Sequence, residues 1–219
     1  MKTIELFSGT KSFSNVMSSR NHLTFTVDID KNLNPDLCVD ILAGQIKFPY
    51  RPDIMWASPP CTAFSVASIG KHWGGGYREY VPKTKQAADA KEIVQETIDI
   101  IDELKPTWWF IENPRGVLRK MDFMQQLHRV TVSYCQYGDS RMKPTDIWTN
   151  AYWWTPRIMC KNGDKCHESA PRGAKTGTQG LAGAKERGRI PPLLFEEILN
   201  QSIESETDVK APPTESYGL

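Results

Sequence analysis

The run Thr107-Trp-Trp-Phe-Ile-Glu112 limits the architecture more than any other stretch of this chain. A strand normally alternates apolar and polar residues when one of its faces meets water. This one is apolar at successive positions, so both faces must be covered, as in the interior of a parallel sheet. It is expected to stop at Asn113-Pro114, because proline has no N–H for a ladder. Just upstream, Ala87, Ala90, Ile93, Val94, Thr97, Ile98, Ile101 and Leu104 recur at helical spacing, and Lys105-Pro106 closes that helix. Shorter β-rich runs lie at 3–7, 24–29 and 53–57, with further strand candidates near 130–136 and 146–149. Strands alternating with helices predict an α/β fold of Rossmann-like type, a mostly parallel sheet with helices on both faces. In such a fold the ligand crevice lies at the carboxyl ends of the strands, and Gly9, Asp28, Cys61 and Glu112 all sit just past predicted strand ends.

With 219 residues, the chain is long enough for one α/β domain with a sizeable core plus small additions. We expect a catalytic domain over 1–154, a small irregular region over 155–203 with a short helix near 192–200, and a disordered polar tail over 204–219. The net charge of +1 names no partner. Locally, Arg157, Lys161, Lys165, Arg172, Lys175, Lys185, Arg187 and Arg189 face only Asp164, Glu168 and Glu186, an excess suited to phosphates or to a solvated basic loop. No run approaches the roughly 18 apolar residues of a membrane span, and the N-terminal residues do not read as a secretion signal. Five scattered cysteines do not form a disulfide framework, so a cytoplasmic setting is expected.

Two side chains carry candidate chemistry. Cys61 follows Ser58-Pro59-Pro60 at a strand end, where a rigid turn holds its thiol in place. A helix expected to begin at Thr62–Ala67 would lower the thiol pKa and favour the nucleophilic thiolate. An arbitrary cysteine is more often a buried structural one, and the proline turn is what shifts the balance. Glu112 ends the apolar strand, where desolvation makes a carboxyl a proton donor near neutral pH; a loop cap or an ion pair with Arg115 is the simpler reading. The Gly- and aromatic-rich stretch 70–80 reads as a mobile loop, able to serve as a lid.

Taken together, these residues resemble the DNA cytosine-5 methyltransferase family, in particular its small phage-like members. Ile4-Glu5-Leu6-Phe7-Ser8-Gly9 is similar to the family's first motif, Val27-Asp28-Ile29-Asp30 to the second and Asp40-Ile41 to the third. Pro59-Pro60-Cys61-Thr-Ala-Phe64-Ser65 is similar to its Pro-Cys loop, and Glu112-Asn113-Pro114 to its Glu-Asn-Val motif. The resemblance implies the S-adenosylmethionine-dependent methyltransferase fold, with that cofactor held by Phe7, Ser8, Gly9, Thr10, Asp28, Ile29, Asp40, Ile41 and Pro59. It implies Cys61 as nucleophile and Glu112 as acid partner on a cytosine flipped out of DNA, with Ser65, Asn113, Arg141 and Lys143 meeting the substrate. The product would be 5-methylcytosine.

The sequence departs from the pattern in several places. Lys11 and Ser12 stand where the first motif continues with glycines. In place of the family's Gln-x-Arg-x-Arg strand stands Gln136–Trp148, with Arg141 or Lys143 as its cation, and the late Gly-Asn-x-Val motif is absent. Little chain is available for target recognition, so acceptance of RNA or a cytidine nucleotide, or a non-catalytic binding role, stays open. Cys160, Cys166 and His167 bracket a glycine turn, but a fourth ligand would have to come from afar (Cys135 or His72). A solvent-exposed loop is the favoured reading there, and no metal is assigned. Trp148, Trp153 and Trp154 are expected to pack rather than stack on bases.

Overall fold

A computed structural model describes residues 1–75, 79–168 and 183–210, apart from the side chains of 184, 185 and 206–210. In chain order the elements are β1 (Lys2–Leu6), α1 (Ser12–Ser19), β2 (Leu23–Asp28), β3 (Leu37–Cys38), β4 (Ile54–Ala57), α2 (Ile69–His72), β5 (Trp73–Gly74), β6 (Val81–Pro82), α3 (Lys85–Leu104), β7 (Trp108–Pro114), α4 (Asp122–Gln125), β8 (Arg129–Ser133), β9 (Pro144–Thr149), α5 (Ala184–Gly188) and α6 (Pro192–Lys210). Seven strands form one sheet in the order β3-β2-β1-β4-β7-β9-β8. All neighbours are parallel except at β9, which runs antiparallel to both β7 and β8. The order reverses between β1 and β4: the chain builds outward to β2 and β3, then returns to place β4 on the other side of β1. Such a switch point opens a crevice at the carboxyl ends of β1 and β4.

Both faces of the sheet are covered. Ile4, Leu6, Met55, Ala57 and Ile111 face α3, which contributes Ala87, Ala90, Val94 and Ile101. Ile54, Trp56 and Phe110 point to the other face, against Phe13 and Met17 of α1 and Leu194, Phe195 and Ile198 of α6. Trp56 stacks between Phe13 and Phe110 with centroids 5.9 and 5.8 Å away, and meets Phe195 edge-on at 4.8 Å. Burying Phe195 alone contributes roughly 2 kcal/mol, so a helix that follows the irregular region shares the core of β4 and β7. Helix α6 runs through Lys210, into the stretch expected to be a polar tail, and 211–219 lie outside the described residues.

The helix read from periodicity occupies Lys85–Leu104, where the Thr84 hydroxyl accepts the Ala87 N–H and Lys105 closes the helix in the left-handed region. Strand β7 ends where expected, at Asn113-Pro114, with Pro114 as its last residue, paired with Thr145 of β9. Its parallel neighbour β4 ends opposite Ile111, so beyond that point one edge of β7 has no ladder to lose. The 70–80 stretch is more ordered than a loop, since β5 and β6 form an antiparallel pair. The buried Trp73 anchors it by donating its Nε1–H to the Ala63 carbonyl at 2.7 Å. Residues 76–78 at its tip lie outside the described residues. Among the described residues, no helix is long and apolar enough to cross a membrane.

Candidate active site

The loop after β1 turns on three residues of positive φ: Phe7 (56°), Gly9 (47°) and Lys11 (55°). Lys11 therefore adopts the backbone that a glycine would take without strain, at a cost of roughly 1 kcal/mol. Its Nζ reaches the Asn34 carbonyl at 2.6 Å. The Glu5 carboxylate accepts the N–H groups of Phe13 and Ser14 at 3.2 and 2.9 Å, together with the Ser14 hydroxyl, fixing the start of α1. Burial pushes the Glu5 pKa up to about 7. At the end of β2, Asp28 Oδ2 accepts the Gly9 N–H at 2.8 Å and Oδ1 accepts the Asp30 N–H at 2.9 Å, leaving a lone pair on each oxygen. The neighbouring Ile29 is 67% exposed, whereas Ile41 is buried in the core. Asp40 is exposed and accepts the Leu42 N–H at 3.0 Å. Thr10 and Ser12 share a hydroxyl contact of 2.8 Å, and the buried Ser8 Oγ has no partner among the described residues.

Past β4, Pro59 is buried and Cys61 is exposed. No α-helix starts behind the cysteine. Thr62–Phe64 and Val66–Ser68 are 3-10 turns and only the four-residue α2 follows, so the helix expected over 62–67 and its favourable dipole are absent. Accordingly no helix dipole favours the Cys61 thiolate. Surrounding protein pushes its pKa up, the Glu112 charge adds to that, and Lys143 and Arg187 pull it back. An exposed thiol can still be desolvated in this way when it lies in a concave setting.

Glu112 sits on β7 directly beyond the end of β4, only 5% exposed, and accepts a 2.7 Å hydrogen bond from the Tyr134 hydroxyl. The residues that follow clasp the cysteine turn at two points. Asn113 Nδ2 donates to the Pro59 carbonyl at 3.0 Å, and the Val117 N–H donates to the Phe64 carbonyl at 2.8 Å. Between them, a Cβ on Gly116 would lie 2.3 Å from the Phe64 oxygen, so only glycine allows this approach. Ser65 is exposed on the same turn.

The two candidate cations have opposite fates. Arg141 is 3% exposed and all five of its N–H groups are engaged. Nε and one Nη2 hydrogen bind Asp139, and the rest reach the carbonyls of Glu186, Arg187 and Arg189. Arg141 thus moors the 186–189 segment and has no donor left for a substrate. Lys143 lies over the Tyr134 ring at 4.6 Å and donates to the Arg187 carbonyl at 2.9 Å. Burial lowers its pKa, against the pull of Glu112 and Cys61. Sequence reasoning missed Tyr134 and Gly116, of which only the glycine after Asn-Pro-Arg carried a local signal, and it read Arg187 only as part of a basic segment.

The family description C-5 cytosine-specific DNA methylase matches residues 1–131. The chain belongs to this family. A protein of Frog virus 3 (isolate Goorha) described as a probable DNA (cytosine-5)-methyltransferase is 27% identical over 217 residues, covering 91% of this chain and 99% of the viral one. Among solved structures, an E. coli prophage-encoded DNA modification methyltransferase matches with a TM-score of 0.51 and 14% identity over 73% of this chain. The chain spans 52% of that structure's length, so this likeness speaks to the fold alone. Gly9, Asp28, Cys61 and Glu112, which stand at, near or just past the ends of β1, β2, β4 and β7, all fall within the matched residues.

Proposed function

We propose that this methylase transfers a methyl group from S-adenosylmethionine to carbon 5 of cytosine in DNA through a covalent bond to Cys61. The observation that carries the reading is the pairing of an exposed cysteine with a buried glutamate at adjacent strand ends, tied together by the Asn113–Pro59 and Val117–Phe64 hydrogen bonds.

The cofactor half of the crevice fits the group the family implies. Asp28 retains acceptor capacity for the ribose hydroxyls, and the exposed Ile29 presents apolar surface to the adenine. The unpartnered Ser8 hydroxyl sits in the loop of Phe7, Gly9 and Thr10, and Asp40, Ile41 and Pro59 complete the set of residues the family resemblance assigns to the cofactor. When bound, S-adenosylmethionine supplies an electrophilic methyl group. On the base side, the Cys61 thiolate attacks carbon 6 of a flipped cytosine, forming the S–C6 bond. Glu112, held by Tyr134, hydrogen-bonds ring nitrogen 3 as the acid partner and supplies the proton that balances the charge developing there. Carbon 5 becomes nucleophilic and would take the methyl as the sulfonium S–CH3 bond breaks, its electron pair staying on the departing thioether sulfur. Loss of the carbon-5 proton returns an electron pair, which breaks the S–C6 bond and frees the thiolate. Lys143 opposes the raised thiol pKa and is the cation near the base; Arg141 serves to hold the loop beside it.

Tritiated S-adenosylmethionine incubated with unmethylated DNA should leave acid-stable label that disappears in Cys61→Ala. Duplexes carrying 5-fluorocytosine should trap a covalent complex, because fluorine cannot leave as the proton does. Label that survives Cys61→Ala would refute the covalent route. Label on RNA or on cytidine nucleotides, with none on DNA, would reassign the acceptor while keeping the chemistry.

A further inference from the structure

Cys135, Cys160, Cys166 and His167 bring their ligand atoms within 4.8 Å of one another. The missing fourth partner of the Cys160–His167 group is Cys135, 25 residues upstream in the connection that follows β8. We propose that these four residues form a structural zinc site, independent of the methyl-transfer reading, that staples residues 155–168 to the Tyr134–Tyr137 turn.

The geometry fits a tetrahedron. Zinc with bonds of about 2.3 Å to sulfur and about 2.0 Å to nitrogen requires S···S edges near 3.8 Å and S···N edges near 3.5 Å. The Cys166 and Cys160 sulfurs lie 3.5 and 3.7 Å from His167 Nδ1, and Cys135 lies 3.6 Å from Cys166. The Cys135–Cys160 edge, at 3.1 Å, is the short one, and side-chain rotation opens it. Three soft sulfurs and one imidazole favour zinc over the oxygen-seeking ions. An outer donor is also in place, since Gln136 Nε2 points at the Cys166 sulfur at 3.4 Å. Such N–H···S bonds stabilise thiolate ligands.

A second observation shows why the chain needs the ion. Between Thr155 and Glu168 the only buried residue is Cys160, while Ile158 is 90% exposed. A segment that buries so little cannot offset the entropy of holding one course, and metal ligation is the usual substitute for a core. Locally, the Lys161–Asp164 turn is closed by the Lys161 N–H to Asp164 Oδ2 bond at 2.6 Å, with Gly163 at φ 93°. That turn brings Cys166 back beside Cys160. The adjoining Tyr134 is the residue that holds Glu112, so the ion would stiffen the base-side wall.

The full chain, purified without chelator, should contain about one zinc per molecule by elemental mass spectrometry. Replacing it with Co(II) should give the intense visible bands of tetrahedral cobalt and a thiolate charge-transfer band. Cys160→Ser and Cys166→Ser should lower zinc retention at least about tenfold, while Cys38→Ser, an exposed cysteine outside the group, keeps it. Zinc well below stoichiometry in the wild-type chain, together with a featureless cobalt titration, would overturn the proposal. Both readings use the unmutated protein, so misfolding of a variant does not cloud them. Neither depends on methyl transfer.

Discussion

The crevice has two halves built on opposite terms. On the base side, Glu112, Asn113, Tyr134 and Arg141 are buried and each has a named partner within the protein, although Asn113 Oδ1 has none among the described residues. On the cofactor side, Ile29 and Asp40 stand in solvent, Ser8 Oγ lacks a partner, and the loop rests on left-handed residues braced from behind by Glu5. The difference follows from what each half must bind. A reaction at one ring position needs groups fixed before the base arrives. A cofactor can complete a half-finished site by supplying the contacts that are missing.

Substitutions on the base side should therefore damage turnover far more than binding. Glu112→Gln keeps the volume but removes the titratable proton, and should lower single-turnover methylation about 100- to 10,000-fold with cofactor affinity nearly unchanged by calorimetry. A drop in affinity of the same size would show that the two halves are not separable. The second largest effect is expected behind the cofactor loop. Burial raises the Glu5 pKa from 4.5 to about 7, so the folded chain holds this proton more tightly than the unfolded chain. As pH rises between those values the unfolded state loses the proton first, and stability falls. The loss is complete above pH 7 and amounts to something on the order of 3 kcal/mol. Urea unfolding at pH 5 and pH 8 should show Glu5→Gln lacking this part of the slope; identical slopes in both proteins would refute the assignment.

Gly116→Ala should come next. Its Cβ would meet the Phe64 oxygen at 2.3 Å and push the cysteine turn away from β7. We expect a loss of about 1–3 kcal/mol in stability and a fall in kcat with KM for the cofactor preserved. Lys143→Met tests the electrostatics of the thiol. Because Lys143 lowers the Cys61 pKa, its removal should move the rising limb of the pH–rate profile upward. A downward move would mean that Lys143 acts elsewhere. The smallest effect is expected at Ile29→Ala, which should weaken cofactor binding about three- to tenfold and leave single-turnover chemistry at saturation unaltered.

Much of the fold was readable because its signals are local. The doubly apolar run before Glu112, the periodicity of 85–104 and the proline turn before Cys61 each lie within one element. Errors arose where the outcome depended on a neighbour. The expected helix after Cys61 is replaced by 3-10 turns that Phe64 and Val117 tie to the next strand. Arg141 and Lys143 were equivalent candidates on paper, and only the packing of 186–189 consumed one and left the other beside Tyr134.

From its sequence alone, this methylase determined which residue types stand at the carboxyl ends of its strands, since strand length and termination follow from apolar runs and prolines within a few residues. The tertiary structure decided which of those residues work together. The bond from Tyr134 to Glu112, the clasp of Gly116 on Phe64 and the meeting of Cys135 with Cys160, Cys166 and His167 join positions 22 to 52 or 25 to 32 residues apart. No periodicity or motif spans such separations, because the contacts exist only once the sheet has brought distant loops to one edge.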